Sequence, residues 1–120
     1  MSKCIHLVED DEDIRFIVEY VLIEEGYEVE SFETASAFYK RLPTCKADLI
    51  ILDVKLPDGN GIDICRKLKT AEGTSDIPII IMSAHATEKS ILEEACADGF
   101  ISKPFDLNYF TEQVKLRIAI

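Results

Sequence analysis

The chain has 120 residues, 23 acidic against 13 basic, a formal net charge of −10 and 48% hydrophobic residues. That is one domain's length, expected over residues 1–120, with enough apolar content to bury roughly two-thirds of its unfolded surface and to exclude disorder. The acidity disfavours direct nucleic-acid binding, which needs a basic face, and favours a cation or a basic patch on a partner protein.

Met1-Ser2-Lys3 leads directly into Cys4–Val8, a nearly unbroken apolar run. Leu49–Leu52 and Ile77–Met82 are of the same kind, and such runs predict strands buried on both faces of a parallel sheet. His6, inside the first run, reads as a hydrogen-bonded core residue. Tyr27–Phe32 alternates and predicts one sheet edge; Phe100–Ser102 is short and predicts the other. Helical stripes fall between these segments. Ile14, Ile17, Val18, Val21 and Leu22 form the first, ended by Gly26. Ala35, Phe38, Tyr39 and Leu42 form the second, capped by Thr34 and stopped by Pro43. Ile64, Cys65 and Leu68 form the third. Ile91, Leu92 and Ala95, capped by Thr87, form the fourth. Leu107, Phe110, Val114 and Ile118, capped by Asp106, form the fifth. Strand and helix thus alternate five times, which predicts an α/β doubly wound parallel sheet with right-handed crossovers.

The four cysteines show no C-x-x-C pairing and no histidine at ligand spacing, so a zinc site is not expected, and reduced thiols suit a cytoplasmic protein. No apolar run approaches the ~18 residues that span a bilayer, and no signal-peptide pattern is present. No membrane association is expected.

In a doubly wound sheet the C-terminal ends of the strands share one rim, where ligands bind. Glu9, Asp10 and Asp11 follow the first strand, Asp53 the third, Ser83 the fourth and Lys103 the fifth. Converging carboxylates repel one another unless a hard cation with oxygen ligands joins them, and Mg²⁺ suits such a site, with Mn²⁺ as an alternative. A carboxylate beside such an ion can act as a nucleophile at phosphorus. Lys103 would balance phosphoryl charge and the Ser83 hydroxyl would donate to a phosphoryl oxygen.

The segments LVEDDEDIR, ILDVKLPDGNGID, IIIMSAH and GFISKPF resemble, in order and spacing, the four signature blocks of response-regulator receiver domains, and cover essentially the whole chain. The resemblance implies a flavodoxin-like (βα)5 three-layer sandwich with strand order 2-1-3-4-5. It implies that Asp53 accepts a phosphoryl group, that Glu9, Asp10, Asp53 and the Lys55 backbone carbonyl hold Mg²⁺, and that Lys103 supports the chemistry. It further implies that Ser83 and Phe100 are the switch pair and that Lys103 and Pro104 are joined by a cis peptide. Lys55 and His85 would flank the phosphoryl group and set its lifetime. Asp11 is expected to cap the first helix, and Glu9, longer than an aspartate, to reach the metal through water. Phe100 lacks the tyrosine hydroxyl common at that position, so its outer state would expose apolar surface.

The implied partner is a sensor histidine kinase or a histidine phosphotransfer protein docking near the first helix. Phosphorylation would change the surface around the fourth helix, fifth strand and fifth helix. The downstream output protein or domain is unknown, and the chain is expected to be a monomer or a phosphorylation-dependent dimer. The alternatives are a degenerate receiver acting only as an interaction module, a haloacid-dehalogenase-like phosphatase and an FMN carrier. The phosphatase needs a second carboxylate where Lys55 stands. The FMN carrier needs a phosphate loop where Glu9-Asp10-Asp11 would repel it.

Overall fold

The computed structural model describes residues 2–44, 46–84 and 97–118. Its main elements are β1 (Cys4–Val8), α1 (Glu12–Glu24), β2 (Glu28–Phe32), α2 (Ala35–Arg41), β3 (Leu49–Asp53), α3 (Gly61–Thr70), β4 (Ile79–Ser83), β5 (Gly99–Ser102) and α4 (Leu107–Ile118). His85 and the helix expected after Thr87 lie outside the described residues. The five strands form one parallel sheet in the order β2-β1-β3-β4-β5, as the resemblance implied.

The unbroken apolar runs arise because successive strand residues face opposite sides of the sheet and both sides are covered. Val8, Ile50, Leu52, Ile79 and Ile81 pack with Phe38 of α2 and Ile64, Cys65 and Leu68 of α3. Their neighbours Ile5, Leu7, Leu49, Ile51, Ile80 and Met82 pack with Val18 and Leu22 of α1 and Phe110, Val114 and Ile118 of α4. Every residue of β3 and β4 is buried, whereas β2, at the edge, has none that is.

The helix starts follow their capping residues. The Asp11 carboxylate accepts the Asp13 and Ile14 N–H groups at 2.9 and 3.1 Å, so Asp11 caps α1. Thr34 accepts from the Ala37 N–H, and Asp106 from Asn108 and Tyr109. Gly26 follows α1 at a positive φ of 94°, a conformation that glycine adopts without a Cβ penalty.

Several expected details are corrected. Ile17 and Leu107 are 47% and 42% exposed, because Ile14, Val18 and Leu22 form the sheet-facing row of α1 and Ile17 lies one residue round from it. Tyr27 closes the turn that follows α1, its N–H bonding the Leu22 carbonyl, so β2 begins at Glu28. Pro78 has no N–H to give a ladder, so β4 begins at Ile79, and Ser83 is its last residue. His6 is fully buried but neither of its ring nitrogens has a hydrogen-bond partner. The loop after Asp53 contains a short antiparallel ladder of Lys55–Leu56 with Gly59–Asn60.

Candidate functional site

The rim residues are delivered by strand ends and fixed by backbone hydrogen bonds. Glu9 follows β1, and its N–H bonds the Phe32 carbonyl of the neighbouring strand at 3.0 Å. Asp53 ends β3, and the next N–H, of Val54, bonds the Met82 carbonyl of β4 at 3.2 Å. Lys103 follows β5; its N–H bonds the Ser83 carbonyl at 3.0 Å, and its peptide bond to Pro104 is cis. Residues distant in sequence are thereby joined. The Lys103 ammonium donates to Glu9 Oε1 at 2.7 Å and stands 3.2 Å from Asp53 Oδ1. Carboxylate oxygens of Glu9, Asp10 and Asp53 all lie within 4.8 Å of one another.

These acids differ in setting. Glu9 is 0% exposed and Asp53 7%, while Asp10 faces solvent. Glu9 also accepts the Asp11 N–H on Oε2 at 3.1 Å. Burial pushes the Glu9 carboxyl up to about 7, the Asp53 carboxylate adds to that push, and the bonds from Lys103 and Asp11 only partly oppose it. Burial alone would lower Lys103, but the hydrogen bonds and charges of Glu9 and Asp53 outweigh it, so its pKa is raised and the ammonium form is favoured.

Ser83 is buried at the end of β4, one residue beyond the strand partner of Asp53. Phe100 is 7% exposed and packs in the core on the α2–α3 side. The Lys55 side chain is exposed in the ladder after β3. Lys55 stands where the phosphatase reading needs a second carboxylate, and Glu9, Asp10, Asp53 and Lys103 meet at one rim.

Arg15, Asp58 and Gly61 position the backbone around the rim. Arg15, a turn beyond Asp11, reaches back to donate to the Glu9 carbonyl at 2.9 Å and pairs with Glu33 at 3.2 Å, which holds the acidic loop in place. Asp58 accepts the Ala35 and Ser36 N–H groups at 2.8 and 3.0 Å, tying the loop after Asp53 to the start of α2. Those bonds hold its carboxyl below the usual range. Gly61 leaves no room for a side chain: a Cβ there would clash with the Asp53 carbonyl oxygen. The only sequence signal was a glycine at the start of a helix. Gly61→Ala should destabilise the protein by about 1–3 kcal/mol in urea unfolding and shift the NMR resonances of Asp53, because the backbone under Asp53 must move.

A sequence model of the family described as Response regulator receiver domain matches residues 5–115. The KDP operon transcriptional regulatory protein KdpE of Escherichia coli K12 is 37% identical over 116 residues, which are 95% of this chain and 49% of KdpE. The chain spans about half the length of the curated relatives it matches. The non-phosphorylated HemR receiver domain of Leptospira biflexa is 33% identical, with a TM-score of 0.88 over 99% of this chain and 96% of that one. The receiver domain of the sensor histidine kinase PA1611 of Pseudomonas aeruginosa PAO1 is 23% identical, with a TM-score of 0.89 over the whole of both chains. Its structure contains a magnesium ion coordinated in the active site cleft. A chain with this sheet order, this rim and these relatives belongs to the response regulator receiver domains, the phosphorylation-dependent switches of two-component signalling.

Proposed function

We propose that Asp53 is the phospho-acceptor and that a histidine kinase or histidine phosphotransfer protein is the donor. The observation that carries this reading is the convergence of Asp53, Asp10 and Glu9 around the Lys103 ammonium at one sheet rim. An Asp53 carboxylate oxygen forms a bond to phosphorus as the bond to the donor imidazole nitrogen breaks, and the imidazole leaves with the electron pair. Lys103 steadies the transferring oxygens, and Ser83 donates a hydrogen bond to one of them once the phosphoryl group is on Asp53. The added charge of about −1.5 to −2 then draws Ser83 and the adjoining strand ends into a new arrangement, with Phe100 as the second moving part.

The donor set fits Mg²⁺: its ligands are oxygens, and the exposed side at Asp10 leaves room for the waters the ion retains. Asp10, Asp53 and the Lys55 carbonyl would hold the ion directly. Both Glu9 oxygens already accept bonds, from Lys103 and Asp11, so Glu9 would act through water. When bound, the ion supplies charge neutralisation at the phosphoryl oxygens. The Lys55 and His85 side chains set the phosphoryl lifetime.

An exposed apolar face of α1, formed by Phe16, Ile17, Tyr20 and Ile23, supports docking of an apolar donor helix beside the rim. No helix among the described residues is long and apolar enough to cross a membrane, and Cys4 and Cys65 form no disulfide, which fits a reducing cytoplasmic setting. The output domain or partner takes its signal from the face that includes β5 and α4.

Beryllofluoride with Mg²⁺ tests the assignment. Amide shifts should spread from the rim to β5 and α4 in the wild type and vanish in Asp53→Asn; shifts that persist in the variant would overturn it. The ion itself is tested by stability. Mg²⁺ should raise the unfolding midpoint with a stabilisation of about 2.7 kcal/mol at a hundredfold excess over its Kd. Asp10→Asn should blunt that rise; an undiminished rise would exclude Asp10 as a ligand.

A further inference from the structure

Cys4 and His6 are two residues apart on β1 and therefore share a face of the sheet, while Glu30 is the β2 register partner of His6. Cysteine sulfur, an imidazole nitrogen and a Glu30 carboxylate oxygen all lie within 4.8 Å of one another. His6 is wholly buried, with the rings of Phe32 and Phe38 edge-on around it, and neither of its nitrogens has a hydrogen-bond partner. Leaving a buried polar group without a partner is costly, so an unpaired imidazole here calls for an explanation.

His6 Nε2 stands 3.9 Å from Glu30 Oε2, too far for a hydrogen bond. The spacing is close to the edge of roughly 3.4 Å between two ligands of a tetrahedral ion bound at about 2.0–2.1 Å. The other Glu30 oxygen, Oε1, accepts from Arg41 Nε at 2.7 Å, the kind of outer partner that orients a ligating carboxylate. We propose that Cys4, His6 and Glu30 form a binding site for a borderline transition-metal dication of the Zn²⁺ class, separate from the acidic rim.

The ligand types select the ion: thiolate and imidazole suit Zn²⁺ and not Mg²⁺, which takes oxygen. Burial, aided by the Arg41 charge and opposed by Glu30, holds the His6 pKa below its ordinary value, so the imidazole is neutral and able to ligate at neutral pH. Cys4 and Glu30 are only half-buried, which gives the ion a way in and leaves a fourth position for water. Binding releases the thiol proton. His6 precedes Glu9 by three residues on the same strand path, about 10 Å, so the two sites fill independently. An ion joining β1 to β2 would pin the edge strand of the sheet.

The test uses the whole chain with excess Mg²⁺ present to occupy the acidic rim. Zn²⁺ should remain bound at one equivalent after desalting and raise the unfolding midpoint, and Co²⁺ should give a thiolate charge-transfer band. Cys4→Ser should abolish that band, and both Cys4→Ser and His6→Leu should weaken Zn²⁺ binding by at least about tenfold while circular dichroism shows them folded. Absence of the band in the wild type, or Zn²⁺ affinity unchanged in both variants, would overturn the proposal. If His6→Leu does not fold, Cys4→Ser alone decides.

Discussion

Asp53→Asn should leave the protein folded and reduce phosphoryl uptake from acetyl phosphate with Mg²⁺ to background, a loss of at least about 10⁴-fold, read by intact-mass spectrometry. The size of the effect follows from the chemistry: the neutral amide is a far poorer nucleophile, and no second carboxylate has the same setting. Asp10 is exposed, and the buried Glu9 has both oxygens engaged. Stability should hardly move. Asp53 raises the Glu9 pKa through its hydrogen bond and its charge, so removing that charge relieves a buried acid while costing Lys103 one carboxylate partner, and the variant should stay within about 1 kcal/mol of the wild type in chelator. Phosphorylation of Asp53→Asn at the wild-type rate would end the acceptor assignment. A large loss of stability would show that Asp53 supports the fold and does not strain it.

The fold was legible because its signal is redundant. Leu49–Asp53 and Ile79–Ser83 are apolar at every core position, and only a sheet covered on both faces makes that pattern. Capping carried the helix starts: Asp11, Thr34 and Asp106 each accept the N–H bonds that their residue types promise. The rim was legible for a topological reason, since parallel strands deliver whatever follows them to one edge.

What escaped the sequence depends on close approach between distant parts. Gly61 matters because its Cα passes against the Asp53 carbonyl, and a glycine at a helix start does not announce its neighbour. Arg15 lies on the capped first turn of α1, but only the three-dimensional turn brings its guanidinium back to the Glu9 carbonyl. His6 was expected to be hydrogen-bonded, the usual state of a core histidine. The aromatic rings and the 3.9 Å gap to Glu30 that leave it unpaired come from packing between β1, β2 and α2.

Glu9, a buried acid raised to about 7, couples the stability of the metal-free protein to pH. The folded state holds the Glu9 proton more tightly than the unfolded chain does, so Glu9's contribution is fully present below about 4.5 and is lost as pH rises through about 7. At about 1.36 kcal/mol per pH unit the loss amounts to roughly 3 kcal/mol as an upper bound. His6 acts oppositely: its lowered pKa means the unfolded chain binds that proton more readily, so its contribution grows as pH rises toward 6.5. The difference between wild type and Glu9→Gln isolates Glu9, because His6 is common to both. In chelator, urea midpoints from pH 5 to 8 should show the wild type losing ground to Glu9→Gln by a few kcal/mol across this window. Mg²⁺ should flatten the difference, because a nearby dication favours the ionised carboxylate, and its binding below pH 7 should release protons. A wild-type minus Glu9→Gln difference that stays constant with pH would mean that Lys103 keeps Glu9 ionised throughout, leaving Asp53 beside a permanent ion pair in place of a protonated neighbour.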